Sequence, residues 1–312
     1  MNLAAFAVAG FEYFFGIGQL FPRNQVTELI YRSKDVLGHT AYRIPGSFAN
    51  AHAFGGTMVV SLPLLVGAFT QKHKRPLHGQ ILILGIVTAL VGLLMSGART
   101  HFVMAGILVL VATFSLRSSI GYAVGWLVLL VGIGWLVSGE QRLQRFMELR
   151  DTEMIAERVS SSVNMTFFEI AARYPFGNGL GGGGTSIPYF LQDRIIAPLG
   201  LENEYARIVS EQGLFGLFIW VLFIVWLMRR RNPRHDDSWH LGWRLAWVAC
   251  IVLFLTGLTG TGLLTSIPQS ALFLILVGWV GAQPVIRESE LTAGAGSLVV
   301  QPTPEKIDAV RA

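Results

Sequence analysis

The chain has 312 residues, of which 52% are hydrophobic and only 14% charged, and its mean hydropathy is +0.53. That balance excludes a water-soluble globule, because too few charges remain to cover its surface and the apolar runs are too long; it predicts an all-α, polytopic helical membrane protein. The formal charge of +5 is distributed over loops, with no Lys/Arg block interleaved with aromatics, so nucleic acid is not an expected partner.

Eight hydrophobic segments follow in chain order: 2–20, 51–70, 79–97, 101–116, 119–138, 213–228, 241–263 and 266–283. Most approach the ~20 apolar residues that a ~30 Å hydrocarbon core requires, and 101–116 is short for an independent span. Glu12 is an unusual residue for a lipid-facing helix and predicts that the first segment packs against others. The repeated glycines from Gly257 to Gly262 are a possible break near the end of the seventh. The organisation expected is five transmembrane helices in 1–138, a large external loop with amphipathic helices in 139–212, three more helices in 213–283, and a disordered cytoplasmic tail in 284–312. The first segment lacks a basic leader, so a cleaved signal peptide is not expected. Cys250, the single cysteine, permits neither an intrachain disulfide nor a thiolate metal cluster.

Positive charge in short loops sets the expected orientation. Lys72, Lys74 and Arg75 follow the second segment, Arg117 follows the fourth, and Arg229, Arg230, Arg231 and Arg234 follow the sixth. These mark the cytoplasmic side and put 21–50, 98–100, 139–212 and 264–265 outside. The outer loops also carry many arginines, among them Arg23, Arg43, Arg99, Arg142, Arg158 and Arg207. Either the topology is inverted, or long external loops cross regardless of charge and carry arginine for an anionic ligand.

On that outer surface, Tyr42-Arg43-Ile44-Pro45-Gly46 is a turn leading into the second segment. Arg99 lies between the third and fourth, where its guanidinium either snorkels to headgroups or presents a forked donor set to phosphate. Residues 140–158 have apolar positions at helical spacing, consistent with an amphipathic helix along the membrane, and a further helix ends at Pro175. The glycines from Gly177 to Gly184 formally contain G-x-G-x-x-G. Without a preceding strand or a following lysine they form neither a dinucleotide fingerprint nor a P-loop. They are either a flexible loop or backbone that approaches an anion closely. Glu202 and Glu204, two apart, point in different directions on a helix and do not form a two-carboxylate glycosidase pair. One of them can serve as a general base, or both can simply face the helix dipole. The scattered histidines lack metal-ligand spacing, so no metal or other cofactor is expected.

In order and spacing, Arg43 to Asn50, Ser96-Gly97-Ala98-Arg99, Arg158, Tyr174-Pro175-Phe176-Gly177-Asn178-Gly179-Leu180-Gly181, Glu202-Asn203-Glu204-Tyr205 and Glu211-Gln212-Gly213-Leu214-Phe215-Gly216 resemble the O-antigen ligase and polymerase superfamily of membrane glycosyltransferases. The likeness covers roughly residues 40–230. It implies a metal-independent, inverting transfer at the outer face of the bacterial inner membrane, from a polyprenyl-diphosphate-linked glycan to a glycolipid or glycan acceptor. By that resemblance Arg99 and Arg158 hold phosphate, with Arg43 and Asn203 also at the substrate. Glu202 stands where family members commonly carry the histidine that is the candidate base. Family members usually have ten or more helices, so eight segments imply a short member or a chain lacking the first ones. The rival reading is a transporter of a small solute or glycan lipid, which would favour polar groups and broken helices near the bilayer midplane.

Overall fold

A computed structural model of the chain describes residues 1–24, 27, 43–71, 76–115, 134, 165–181, 203–230, 239–258, 260, 262–264 and 266–282. The expected fifth span (119–138, apart from Gly134), the helix at 140–158, and the tail at 284–312 lie outside the described residues. Among the described residues there are eight α-helices, a 3-10 turn at Ile17–Gln19 and no strand. We label the helices α1 (Asn2–Phe15), α2 (Ala51–Phe69), α3 (Pro76–Ser96), α4 (Arg99–Ser115), α5 (Met165–Arg173), α6 (Glu204–Met228), α7 (His240–Thr256) and α8 (Gln269–Gly281). All belong to one unit, Met1–Gly281.

Local chemistry explains the boundaries. Asn50 caps α2, its side-chain oxygen accepting the Ala53 N–H at 2.7 Å. Pro76 occupies the first position of α3, where its missing N–H costs nothing. Gly97 (φ 62°) takes the left-handed conformation that closes α3 and lets α4 start at Arg99. The seventh apolar segment was expected to run to 263, but α7 stops at Thr256, where the Gly/Thr-rich residues begin. Conversely, α6 starts at Glu204, nine residues before the apolar stretch at 213–228, because Asn203 caps it and its first turns are amphipathic rather than apolar.

Among the described residues three helices are long and apolar enough to cross a membrane: Ala51–Phe69, Leu77–Ser96 and Glu204–Met228. The other apolar helices among them, α1, α4, α7 and α8, have 10–17 residues and fall short of that length; α1 ends before Gly16 and α7 before Gly257 although the apolar sequence continues.

The central helix is α2, which packs on α3, α4, α7 and α8. Its buried face joins Phe54, Met58, Leu93, Met104, Leu253 and Phe273 in the main core. In lipid there is little hydrophobic drive between helices, so close backbone approach matters. Gly67 of α2 meets Gly242 of α7 so closely that a Cβ on Gly242 would lie 2.5 Å from the Gly67 Cα, with the Trp279 ring alongside. Several polar groups inside find partners: Asn2 Nδ2 donates to Ser61 Oγ at 2.6 Å, and the Thr57 and Ser61 hydroxyls donate to carbonyls of their own helix.

The alternating chain direction gathers particular termini at one end of the bundle. The starts of α2, α4, α6 and α8 meet the ends of α3 and α7 there, as shown by Gly55 against Ser96 and Ala98, Gly56 against Gln269 and His101, and Glu204 N–H bonded to Gly257 O at 2.9 Å. Arg229 and Arg230, which follow α6, lie at the opposite end, where Trp226 meets Gly281 and Trp247 Nε1 donates to Leu227 O.

Candidate functional site

The start of α6 is built by a cap and a buried charge network. Asn203 Oδ1 accepts the N–H groups of Tyr205 and Ala206 at 2.8 and 3.3 Å. One residue on, Glu204 turns inward and is fully buried. Its Oε1 accepts Arg207 Nε at 3.0 Å, and its Oε2 accepts the Gly262 N–H at 2.9 Å. Arg207 Nη1 reaches Glu211 Oε2 at 2.5 Å, and Glu211 Oε1 accepts the Gly181 N–H at 3.2 Å. Spacings of three and four residues put all three side chains on one helix face.

That network ties three stretches of chain together: the start of α6, the glycine segment ending at Gly181, and the turn after α7. Two carboxylates share one guanidinium, and backbone N–H groups complete their coordination. Burying an ion costs several kcal/mol unless it is paired and hydrogen-bonded, so the network tolerates burial only while all its members are present. Tyr205 adds a further tie, its hydroxyl donating to Phe254 O at 2.7 Å.

The glycine segment lies directly on a kink in α6. Gly213 is non-helical inside that helix (φ 71°, ψ −173°), and Leu214 N–H turns out to bond Pro175 O at 2.9 Å. Asn178 N–H donates to Ser210 O and Gly179 N–H to Glu211 O, at 2.8 and 3.1 Å. A Cβ at Gly177 would lie 2.7 Å from Gly213 N, and one at Gly213 2.5 Å from the Phe176 carbonyl carbon. Both glycines have positive φ, so this contact between backbones needs glycine on each side. From Gly177 to Gly181 the segment is therefore docked backbone rather than a free loop.

A second cluster occupies the starts of α2 and α4. Arg43 Nη1 lies 2.8 Å from His52 Nε2. Guanidinium only donates, so His52 accepts at Nε2 and carries its proton on Nδ1. The His52 and His101 rings are 6.2 Å apart. Among the described residues, Arg43 Nε and His101 Nδ1 are buried without a hydrogen-bond partner. A Cβ at Gly56 would collide with Gln269 Oε1 and come within 3.1 Å of His101 Nε2, so glycine admits both side chains to this corner. Arg99, half-buried, is the first residue of α4. Glu12 reaches across from α1, its Oε2 accepting the Gly46 N–H at 2.8 Å. This tether holds the turn that follows Arg43 and bears out the expectation that α1 packs against other elements.

The structure thus brings Arg43, Arg99 and Asn203 to one end of the bundle. Arg158 and Glu202 lie outside the described residues. The Asn203 side-chain oxygen is engaged in the helix cap. The sequence left His52 and His101 among scattered histidines and placed Arg207 only among the outer-loop arginines, whereas it is paired inside with Glu204 and Glu211; the Glu204, Arg207, Glu211 spacing was the available signal. Among the described residues no group of three or more His, Cys, Asp or Glu is arranged to hold a metal ion. No protein-family model matches the chain, and no curated protein matches it.

Proposed function

We propose that this protein transfers or polymerises a polyprenyl-diphosphate-linked glycan at the outer face of the bacterial inner membrane, without a metal and with inversion at the sugar. The observation that carries the reading is the convergence of Arg43, Arg99 and the capped start of α6 at one end of a helical bundle. The ordered set of motifs resembling the O-antigen ligase and polymerase superfamily adds to it. Cleaving a sugar from a diphosphate develops negative charge on the leaving group. Guanidinium groups fixed at a partly dry interface stabilise that charge with little reorganisation.

In this reading Arg99 and Arg158 hold the diphosphate or an acceptor phosphate, and Arg43 also binds the substrate. Glu202, immediately before the Asn203 cap, removes the proton from the acceptor hydroxyl. The buried Glu204, Arg207 and Glu211 do not meet substrate; they hold the start of α6 against the glycine segment.

The test is reconstitution. Purified protein in liposomes, supplied with a polyprenyl-diphosphate glycan and a matched hydroxyl acceptor in the presence of EDTA, is expected to form the glycosylated acceptor and release polyprenyl diphosphate. Absence of both products, with donor binding intact, would count against the reading.

A further inference from the structure

We propose that Phe176 and Leu180 insert into the lipid surface and complete the apolar belt of the protein beside α6, independently of the glycan-transfer reading. The first observation is a shortfall in length. Beyond its kink, the exposed apolar face of α6 (Leu214, Phe215, Phe218, Leu222, Val225) ends at Arg229 and Arg230, and the Arg230 guanidinium caps the Trp226 ring at 4.0 Å. At ~1.5 Å per residue, Leu214 to Met228 covers only ~22 Å of a ~30 Å hydrocarbon core. Arginine and tryptophan mark an interface at one end, so the deficit falls at the other.

What occupies that level is not α6 itself. Its first turns are covered, with Ala206 and Val209 buried under Phe167, Ala171 and Tyr174 of α5 and the residue after it. The surface presented there belongs to α5 and the glycine segment, where Phe176 is 94% and Leu180 83% exposed. These side chains are not on a loose loop. The bonds from Asn178 and Gly179 to α6, and from Leu214 back to Pro175, hold the backbone on either side of them. A large aromatic and a leucine held almost fully outward, on a segment whose backbone is bonded to α6 at Leu214, match a bilayer rather than water. Glu169, exposed on α5, supplies a polar face on the same covering layer.

Cysteines introduced one at a time by Phe176→Cys, Leu180→Cys, Glu169→Cys and Leu222→Cys test this in the full chain. Each is spin-labelled and reconstituted in liposomes of zwitterionic and anionic phospholipid. Cys250 is buried, so the unsubstituted chain serves as the labelling blank. Labels at 176 and 180 are expected to collide more with dissolved oxygen than with a water-soluble nickel chelate, as the label at 222 does, while the label at 169 shows the reverse. Nickel collision at 176 and 180 equal to that at 169 would overturn the proposal. So would exclusion of both reagents, which would mean that protein covers the patch.

Discussion

Arg207 is the residue whose removal has the most predictable consequence. It is the only cation bonded to both Glu204 and Glu211 among the described residues, and all three side chains are buried. Arg207→Ala strands two buried carboxylates and is expected to destabilise by about 3–5 kcal/mol, whereas replacing all three together with Gln, Met and Gln is expected to recover most of that loss. Thermal unfolding in detergent measures the difference; an alanine variant as stable as wild type would mean water reaches the network. A second prediction separates binding from anchoring. Arg99→Lys and Arg158→Lys keep the charge but lose the planar fork, so transfer is expected to fall ~10-fold or more with membrane insertion unchanged. Glu202→Gln is expected to lower turnover ~100-fold with donor binding retained, and Glu202→His to keep part of the activity because imidazole accepts the same proton. Wild-type turnover in the Gln variant would leave Glu202 without a role as base. Arg99 was legible as a candidate because an arginine between two apolar segments stands out, whereas Arg43 entered through the motif resemblance. The partnership of His52 with Arg43 and His101 was not legible, since it depends on how α2 and α4 cross.

The contact between Gly177 and Gly213 governs how the glycine segment is held on α6. Gly213→Ala places a methyl group against the Phe176 backbone and forces an L-residue into a left-handed φ, at a cost of about 1–2 kcal/mol before the clash is counted. The segment is expected to detach while the bundle stays helical. Hydrogen exchange at the Asn178 and Gly179 amides should rise by ten-fold or more, from ~1.4 kcal/mol per decade, with circular dichroism unchanged. Unaltered exchange would show that the backbone accommodates the methyl. Hydropathy located seven of the expected segments where helices occur, but misjudged an end of α1, α6 and α7. Apolar content reports where lipid can be tolerated, whereas the ends of α6 and α7 are set by Asn203 and by glycines after Thr256. The glycine run itself read equally well as a flexible loop, because nothing in its composition reveals that it docks on a kink thirty or so residues later in the chain.

At the scale of the whole molecule, the bundle separates two chemistries: Arg43, Arg99 and the network at one end, Arg229 and Arg230 at the other. If the second end is cytoplasmic, a cysteine introduced by Ser186→Cys reacts with a membrane-impermeant thiol reagent in intact spheroplasts and one introduced by Ser238→Cys does not. The opposite labelling pattern would invert the topology. If the chain transfers glycan at the outer face as proposed, deleting it leaves a lipid-linked donor that would still be made and still cross the membrane but would no longer be consumed. The expected result is therefore an accumulated polyprenyl-diphosphate glycan that externally added glycan-cleaving enzyme can digest in spheroplasts. Accumulation only on the cytoplasmic leaflet would instead make the protein a carrier of that lipid, and no change in the lipid-linked pool would contradict glycan transfer altogether.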